Sequence, residues 1–112
     1  MKEVRVVSFD QLEATRIVDG EMSTRLITNL REGSDRFSVA LVNFEAGVIK
    51  EEGEDDRDNA GYVIEGYLTL SWDRGEAKLG PGSAFYIPMG KRVKLYIKNR
   101  TKILAIVSPP RI

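Results

Sequence analysis

The stretch KEEGEDDRDN, residues 50–59, packs the carboxylates of Glu51, Glu52, Glu54, Asp55, Asp56 and Asp58 into one short run. Three chemistries suit such a run. Two carboxylates can act as general acid and base, and Glu51 with Asp55 is the nearest pair of that kind. Several carboxylate oxygens can hold a hard cation, although the run lacks the glycine-fixed spacing of a calcium loop. A run of charge can also be a solvated loop with no site in it. Three cations and a phenol stand out elsewhere. Lys91 and Arg92 flank the turn after Pro88 and suit a carboxylate or phosphate, or else an exposed hairpin tip. Arg25, in STRLI, either reaches into a pocket or marks a strand edge. Tyr86 sits two residues before Pro88, near a predicted corner.

The chain has no histidine and no cysteine, which excludes much else. Serine–histidine and cysteine–histidine catalysis, imidazole and thiolate metal sites, and disulfides all lack their residues. No loop has the pattern that cradles a nucleotide phosphate. Lys plus Arg and Asp plus Glu both number 17, so formal charge is zero, which argues against nucleic acid or an anionic membrane as partner. No stretch approaches the roughly 18 apolar residues of a spanning helix. The opening MKEVRVVSFD has no apolar run of a signal peptide. A cytoplasmic protein is expected, with 112 residues forming one domain around one core.

Strands must position these residues. EVRVVSF (3–9) alternates apolar and charged residues, and STRLITNL (23–30) is β-branched. RFSVALVNFEAG (36–47) places Phe37, Val39 and Leu41 on one face and Ser38, Ala40, Val42 and Phe44 on the other, as in a strand covered on both sides. AGYVIEGYLTLSW (60–72), EAKLG (76–80), SAFYIP (83–88), RVKLYIKN (92–99) and KILAIVSPP (102–110) complete the set. Turns at REGSD, EAG, DRG, GPG and PMG separate them. FDQLEATRI (9–17) is a short helix capped by Asp10 or a loop. Tyr62, Tyr67, Tyr86, Tyr96 and Trp72 all fall on strands and are expected in the core or at a dimer interface. The fold class is all-β, a sandwich or small barrel.

Two segments resemble the paired motifs of the cupin superfamily. In the first, at 47–66, Gly47 leads through VIKEE to Gly53, Asp55, Asn59 and Gly66. In the second, at 82–93, Gly82 leads through SAFYI to Pro88, Gly90 and Val93. The intervals match, and the glycines and proline suit tight turns. The resemblance implies a single cupin-type jelly-roll β-barrel, in a family whose small members often dimerise. It also implies a metal held by three histidines and a carboxylate. The four corresponding positions here are Gly53, Asp55, Asn59 and Val93. No metal and no cofactor are therefore expected, and the family's dioxygenase and oxalate-degrading activities do not transfer.

If 53 and 55 point inward, period two points Glu51 inward as well, and the four ligand positions should converge. Glu51, Asp55, Asn59 and Tyr86 then form the candidate ligand site. The leading expectation is a metal-independent barrel that binds a small polar molecule, a sugar or carboxylate-type metabolite. The second half, EGYLTL…GPGSAFYIPMGKRVKL…AIVSPP, is similar to the cupin domain of ethanolamine-utilisation proteins. That likeness implies an enzyme, in a family associated with acyl-phosphate and acetate kinase activity and with microcompartments. A third expectation is a structural barrel, natural or designed, whose site has been removed. A homodimer is expected because an alternating strand at 3–9 needs a partner surface.

Overall fold

The computed structural model describes residues 3–111. Ten strands form two antiparallel sheets that face each other. The larger sheet runs, in spatial order, β1 (Thr15–Val18), β2 (Glu21–Ile27), β3 (Ser38–Phe44), β10 (Thr101–Ser108), β5 (Asp58–Glu65) and β8 (Ala84–Ile87). The smaller runs β4 (Ile49–Glu52), β9 (Val93–Ile97), β6 (Leu68–Trp72) and β7 (Gly75–Leu79). This is the all-β jelly-roll barrel expected from the motif spacing.

The core lies between the sheets. Phe44, Val63, Ile87, Leu95 and Ile97 are almost fully buried, with Val42, Leu68, Leu70 and Ile103 beside them. Each large apolar side chain removed from water contributes about 1.5–3 kcal/mol before chain entropy is counted. As expected, Val42 and Phe44 face this core with Ser38 and Ala40 on the same face of β3.

Several local expectations change. Residues 60–72 are not one strand. Gly66, at φ 87°, breaks them into β5 in one sheet and β6 in the other, and a Cβ there would lie 2.3 Å from the Arg100 carbonyl oxygen. The segment 3–9 is not a strand: among the described residues it pairs with nothing, and Val4 and Val6 are 91% and 93% exposed. The alternation is present in the sequence, but no strand edge among the described residues takes it up. Residues 9–17 are not a helix: they hold a 3-10 turn at Phe9–Gln11, with Ser8 rather than Asp10 at its N-cap, and run into β1 at Thr15. The strand expected at 23–30 starts at Glu21 and stops at Ile27, where Thr28 caps the short helix α1 (Asn29–Glu32). The Thr28 hydroxyl accepts from the Arg31 N–H at 3.0 Å, and the Glu32 carboxylate accepts from the Thr28 N–H at 2.8 Å. Gly33, left-handed at φ 74°, ends the helix. The aromatics Tyr62, Tyr67, Tyr86 and Trp72 are exposed, which removes the core alternative for them and leaves the interface one.

Candidate functional site

The four motif positions do not converge. Gly53 has φ +122°, and a Cβ built on it would lie 2.0 Å from the Lys91 carbonyl oxygen. That contact is backbone against backbone, fixed further by the Gly90 N–H donating to the Glu54 carbonyl at 2.8 Å. The Asp55 side chain is 86% exposed and accepts from Arg92 Nη2 at 2.9 Å, out in solvent. Asn59 and Val93 alone are buried. Among the described residues no three of His, Cys, Asp and Glu are grouped to hold a metal. A metal of the kind the motif resemblance implies does not fit this donor set.

Glu51 is also placed differently from its expectation. It is exposed and absent from the barrel lining, whereas its neighbours Lys50 and Glu52 line the interior. The reason is local. β4 alternates as a strand should, but Asp55 points to solvent rather than inward, so counting back by two from it puts Glu51 on the outer face as well. Tyr86 likewise lies outside. In β8, Phe85 and Ile87 line the interior, and Tyr86 faces the other way. Its hydroxyl donates to Asp58 Oδ1 at 3.2 Å, and this hydrogen bond raises the phenol pKa above its usual 10.0. The Met89 N–H donates to the same Asp58 oxygen at 2.9 Å, which ties β5 to the turn after β8.

The barrel nevertheless holds a cavity of about 320 Å³. Phe44, Ile87, Leu95 and Ile103 give it an apolar lining, and polar side chains from neighbouring strands line it as well. Glu21, Ser23 and Arg25 project from β2, Lys50 and Glu52 from β4, and Asn59 from β5. The Lys50 ammonium lies 2.6 Å from Glu21 Oε1 and 2.8 Å from Glu52 Oε1. Burial acts to lower the Lys50 pKa, but the hydrogen bonds and charges of Glu21 and Glu52 outweigh it and hold the pKa above 10.5. Lys50 is therefore a fixed cation at neutral pH, unsuited to nucleophilic amine chemistry.

A second polar cluster lies at the end of the cavity marked by Asn59. Glu54 Oε2 accepts from Arg111 Nη2 at 2.8 Å and from Asn59 Nδ2 at 3.2 Å, while Glu54 Oε1 faces Arg57 Nη1 at 3.3 Å. Burial would raise the Glu54 pKa, yet Arg111, Asn59 and Arg57 together bring it below 4.5. Arg111 also meets Asn59 Oδ1 at 3.3 Å and lines the cavity.

Of the four residues expected to hold a ligand, only Asn59 lines the cavity. Arg25, whose reach into a pocket was one of two readings, lines it too. Glu21, Ser23, Lys50, Glu52 and Arg111 were missed. A signal for the first two is present in EMSTRLI: three of its four odd positions, Glu21, Ser23 and Arg25, are polar, and that row, which ends at Ile27, faces inward.

The whole backbone closely matches solved β-barrels. The structure of KdgF from Halomonas sp. superposes with a TM-score of 0.85 at 17% identity, covering 96% of each chain. A RmlC-like cupin from Shewanella frigidimarina gives 0.82 at 20% identity, covering 99% of this chain and 96% of its own. The chain has the cupin fold. A putative ethanolamine utilization protein Q from Salmonella typhimurium gives 0.79 at 18% identity, covering 96% of this chain and 88% of its own, so the likeness noted in the second half extends along the barrel. No family model and no curated protein matches the sequence. At these identities the likeness establishes the cupin fold, and the site stands on its own side chains. No helix among the described residues is long and apolar enough to cross a membrane.

Proposed function

We propose that this cupin barrel is a binding module for a small polar molecule, a sugar or carboxylate-type metabolite, taken into the cavity without a metal. The observation that carries the reading is the Glu21–Lys50–Glu52 set inside a cavity of about 320 Å³. Burying Glu21 and half-burying Lys50 and Glu52 is not the cheapest way to close a barrel, because apolar residues of the same volume stabilise a core as well or better. A purely structural barrel would be filled by side chains. Here volume is left open and its wall is lined with donors and acceptors, the form of a ligand pocket.

The test is a thermal-shift screen of the full chain against sugars, sugar acids, hydroxy acids and amino acids. A true ligand raises Tm with concentration, by an amount set by concentration over Kd. A Ser23→Phe variant, which fills the cavity, should keep its fold and lose the shift. Absence of any shift across these classes would remove the proposal.

An enzyme is the second reading, favoured by the same trio: Glu52 and Glu21 stand where a carboxylate pair can move protons on a bound molecule. Glu52→Gln should then abolish turnover of a compound that still binds. Self-association also belongs to the proposal, and the outer face of the larger sheet is the surface we assign to it. Ile106, Tyr62 and Ile64 are exposed on neighbouring strands of the larger sheet's outer face, where a second copy would cover them. Light scattering should give a dimer for the wild type and a monomer for Ile106→Asp.

A further inference from the structure

The cavity holds several cations, but they are not equivalent. Lys50 is committed to Glu21 and Glu52, two carboxylates to one ammonium, so its neighbourhood carries net negative charge. Arg111 is committed to Glu54 and Asn59. Arg25 is different. Among the described residues its guanidinium has no ion-pair or hydrogen-bond partner, while its backbone pairs with Ala40 of β3 and its carbonyl accepts from Arg31 at 2.7 Å. Arg25 is exposed while Glu21, on the same face of the same strand, is buried. The inner row of β2 therefore runs from a buried carboxylate through the Ser23 hydroxyl to an uncommitted guanidinium at the open end. Successive members of such a row stand about 7 Å apart.

We infer that Arg25 is the carboxylate anchor of this cavity, and that its ligand is a hydroxy acid lying along β2. The inference rests on the cavity being a ligand site and goes on to name the ligand's class and direction. The carboxylate meets the Arg25 fork, which suits two parallel charge-assisted hydrogen bonds. The hydroxyl groups extend inward to Ser23 and to the carboxylate oxygens of Glu21 and Glu52, which accept from them. The reverse orientation places the ligand's carboxylate against Glu21 and Glu52, where like charge repels it. A neutral polyol can use the inner groups but leaves Arg25 idle. A dicarboxylate gains nothing from its second charge, since both other cations of the lining are already neutralised.

Calorimetry and thermal shift with three probe pairs test this: glycerate against glycerol, threonate against threitol, gluconate against sorbitol. Each pair differs only by a carboxylate in place of a hydroxymethyl group. The wild type should bind at least one acid more tightly than its polyol. Arg25→Met should weaken that acid roughly 10- to 100-fold and leave the polyol unchanged. Arg25→Lys should recover part of the loss, and Arg74→Met, in the exposed β6–β7 turn, should change nothing. Because the Arg25 side chain has no partner in the protein, Arg25→Met should unfold at the wild-type Tm. Equal binding of acid and polyol, or acid binding untouched in Arg25→Met, overturns the anchor and leaves the cavity as a ligand site. Failure of acids, polyols and the wider metabolite classes to bind removes the ligand site itself, and the anchor with it.

Discussion

Glu21 of β2 and Lys50 of β4 belong to different sheets, and their side chains meet 2.6 Å apart across the edge of the cavity. The pair is thus a tie between the two halves of the barrel as well as a part of its lining. Glu52 shares the same ammonium at 2.8 Å and completes a set in which neither carboxylate is left to face the apolar wall alone.

Lys50→Met should therefore be strongly destabilising. The loss is about 3–5 kcal/mol, because Glu21 remains buried with no counter-charge. Adding Glu21→Gln and Glu52→Gln to Lys50→Met should recover most of that loss, since the cost lies in the stranded charges. Guanidinium unfolding of the single and triple variants checks both statements. A Lys50→Met cost under about 1 kcal/mol would show that the pair is no tie.

Stability against pH should have two limbs and a plateau. Glu54 and Glu32 have folded pKa values below 4.5. Their contribution is full above 4.5 and is lost as pH falls through the lowered folded values. Lys50 has a folded pKa above 10.5, so its contribution is full below 10.5 and is lost as pH rises through the higher folded value. With no histidine or cysteine in the chain, no ordinary side chain titrates between about pH 6 and 9, and Tm should be flat there. Glu54→Gln should flatten part of the acid limb and leave the alkaline limb unchanged, which Tm measurements from acid to alkaline buffer would read.

Most of the fold was legible because strand alternation and glycine or proline turns are local properties. RFSVALVNF declares both its faces, and Gly66 and Gly90 mark corners wherever a metal is or is not bound. The lining was less legible because its direction depends on backbone events a pattern cannot report. Gly53 reads in sequence as one more motif position. In the barrel it takes a positive φ against Lys91, and beyond it Glu54 rather than Asp55 turns toward Asn59 and Arg111. Tyr86 erred for a simpler reason: proximity to the Pro88 corner says nothing of the face, and strand alternation turned it outward. Glu21 and Lys50 sit 29 residues apart, and nothing in either segment alone announces the contact.

Gly61 should prove as constrained as any core residue despite its ordinary φ. It pairs with Phe85 across β5 and β8, and a Cβ on it would lie 2.3 Å from the Phe85 ring. Gly61→Ala should cost about 1–3 kcal/mol through overpacking. Phe85→Leu in the Gly61→Ala background should recover some of this, whereas Phe85→Leu alone should be destabilising. A double-mutant cycle gives the coupling, and additivity within about 0.5 kcal/mol would show that ring and glycine do not compete for the same space.

Restoring the metal ligands by motif position should fail, and for a reason the backbone supplies. The quadruple replacement of Gly53, Asp55, Asn59 and Val93 by His, His, Glu and His matches the superfamily pattern in spacing. Yet a Cβ at 53 falls 2.0 Å from the Lys91 carbonyl oxygen, and φ +122° is a conformation that side-chain-bearing residues rarely adopt. The neighbour that must move is main chain, tied to the adjacent loop through Gly90 and Glu54, so no rotamer change relieves it. Position 55 faces solvent, where an imidazole would have no partner across the barrel. Gly53→Ala alone should cost about 2–4 kcal/mol through strain and clash. The quadruple variant should be less stable still and should gain no first-row metal by calorimetry or elemental analysis. Asn59→Glu with Val93→His, which leaves Gly53 in place, is the matched control: its two side chains point inward but offer too few donors for a tight site. Stoichiometric metal in the quadruple variant, with the fold intact, would mean that the loop of Gly53 and Lys91 can open by several ångströms at little cost.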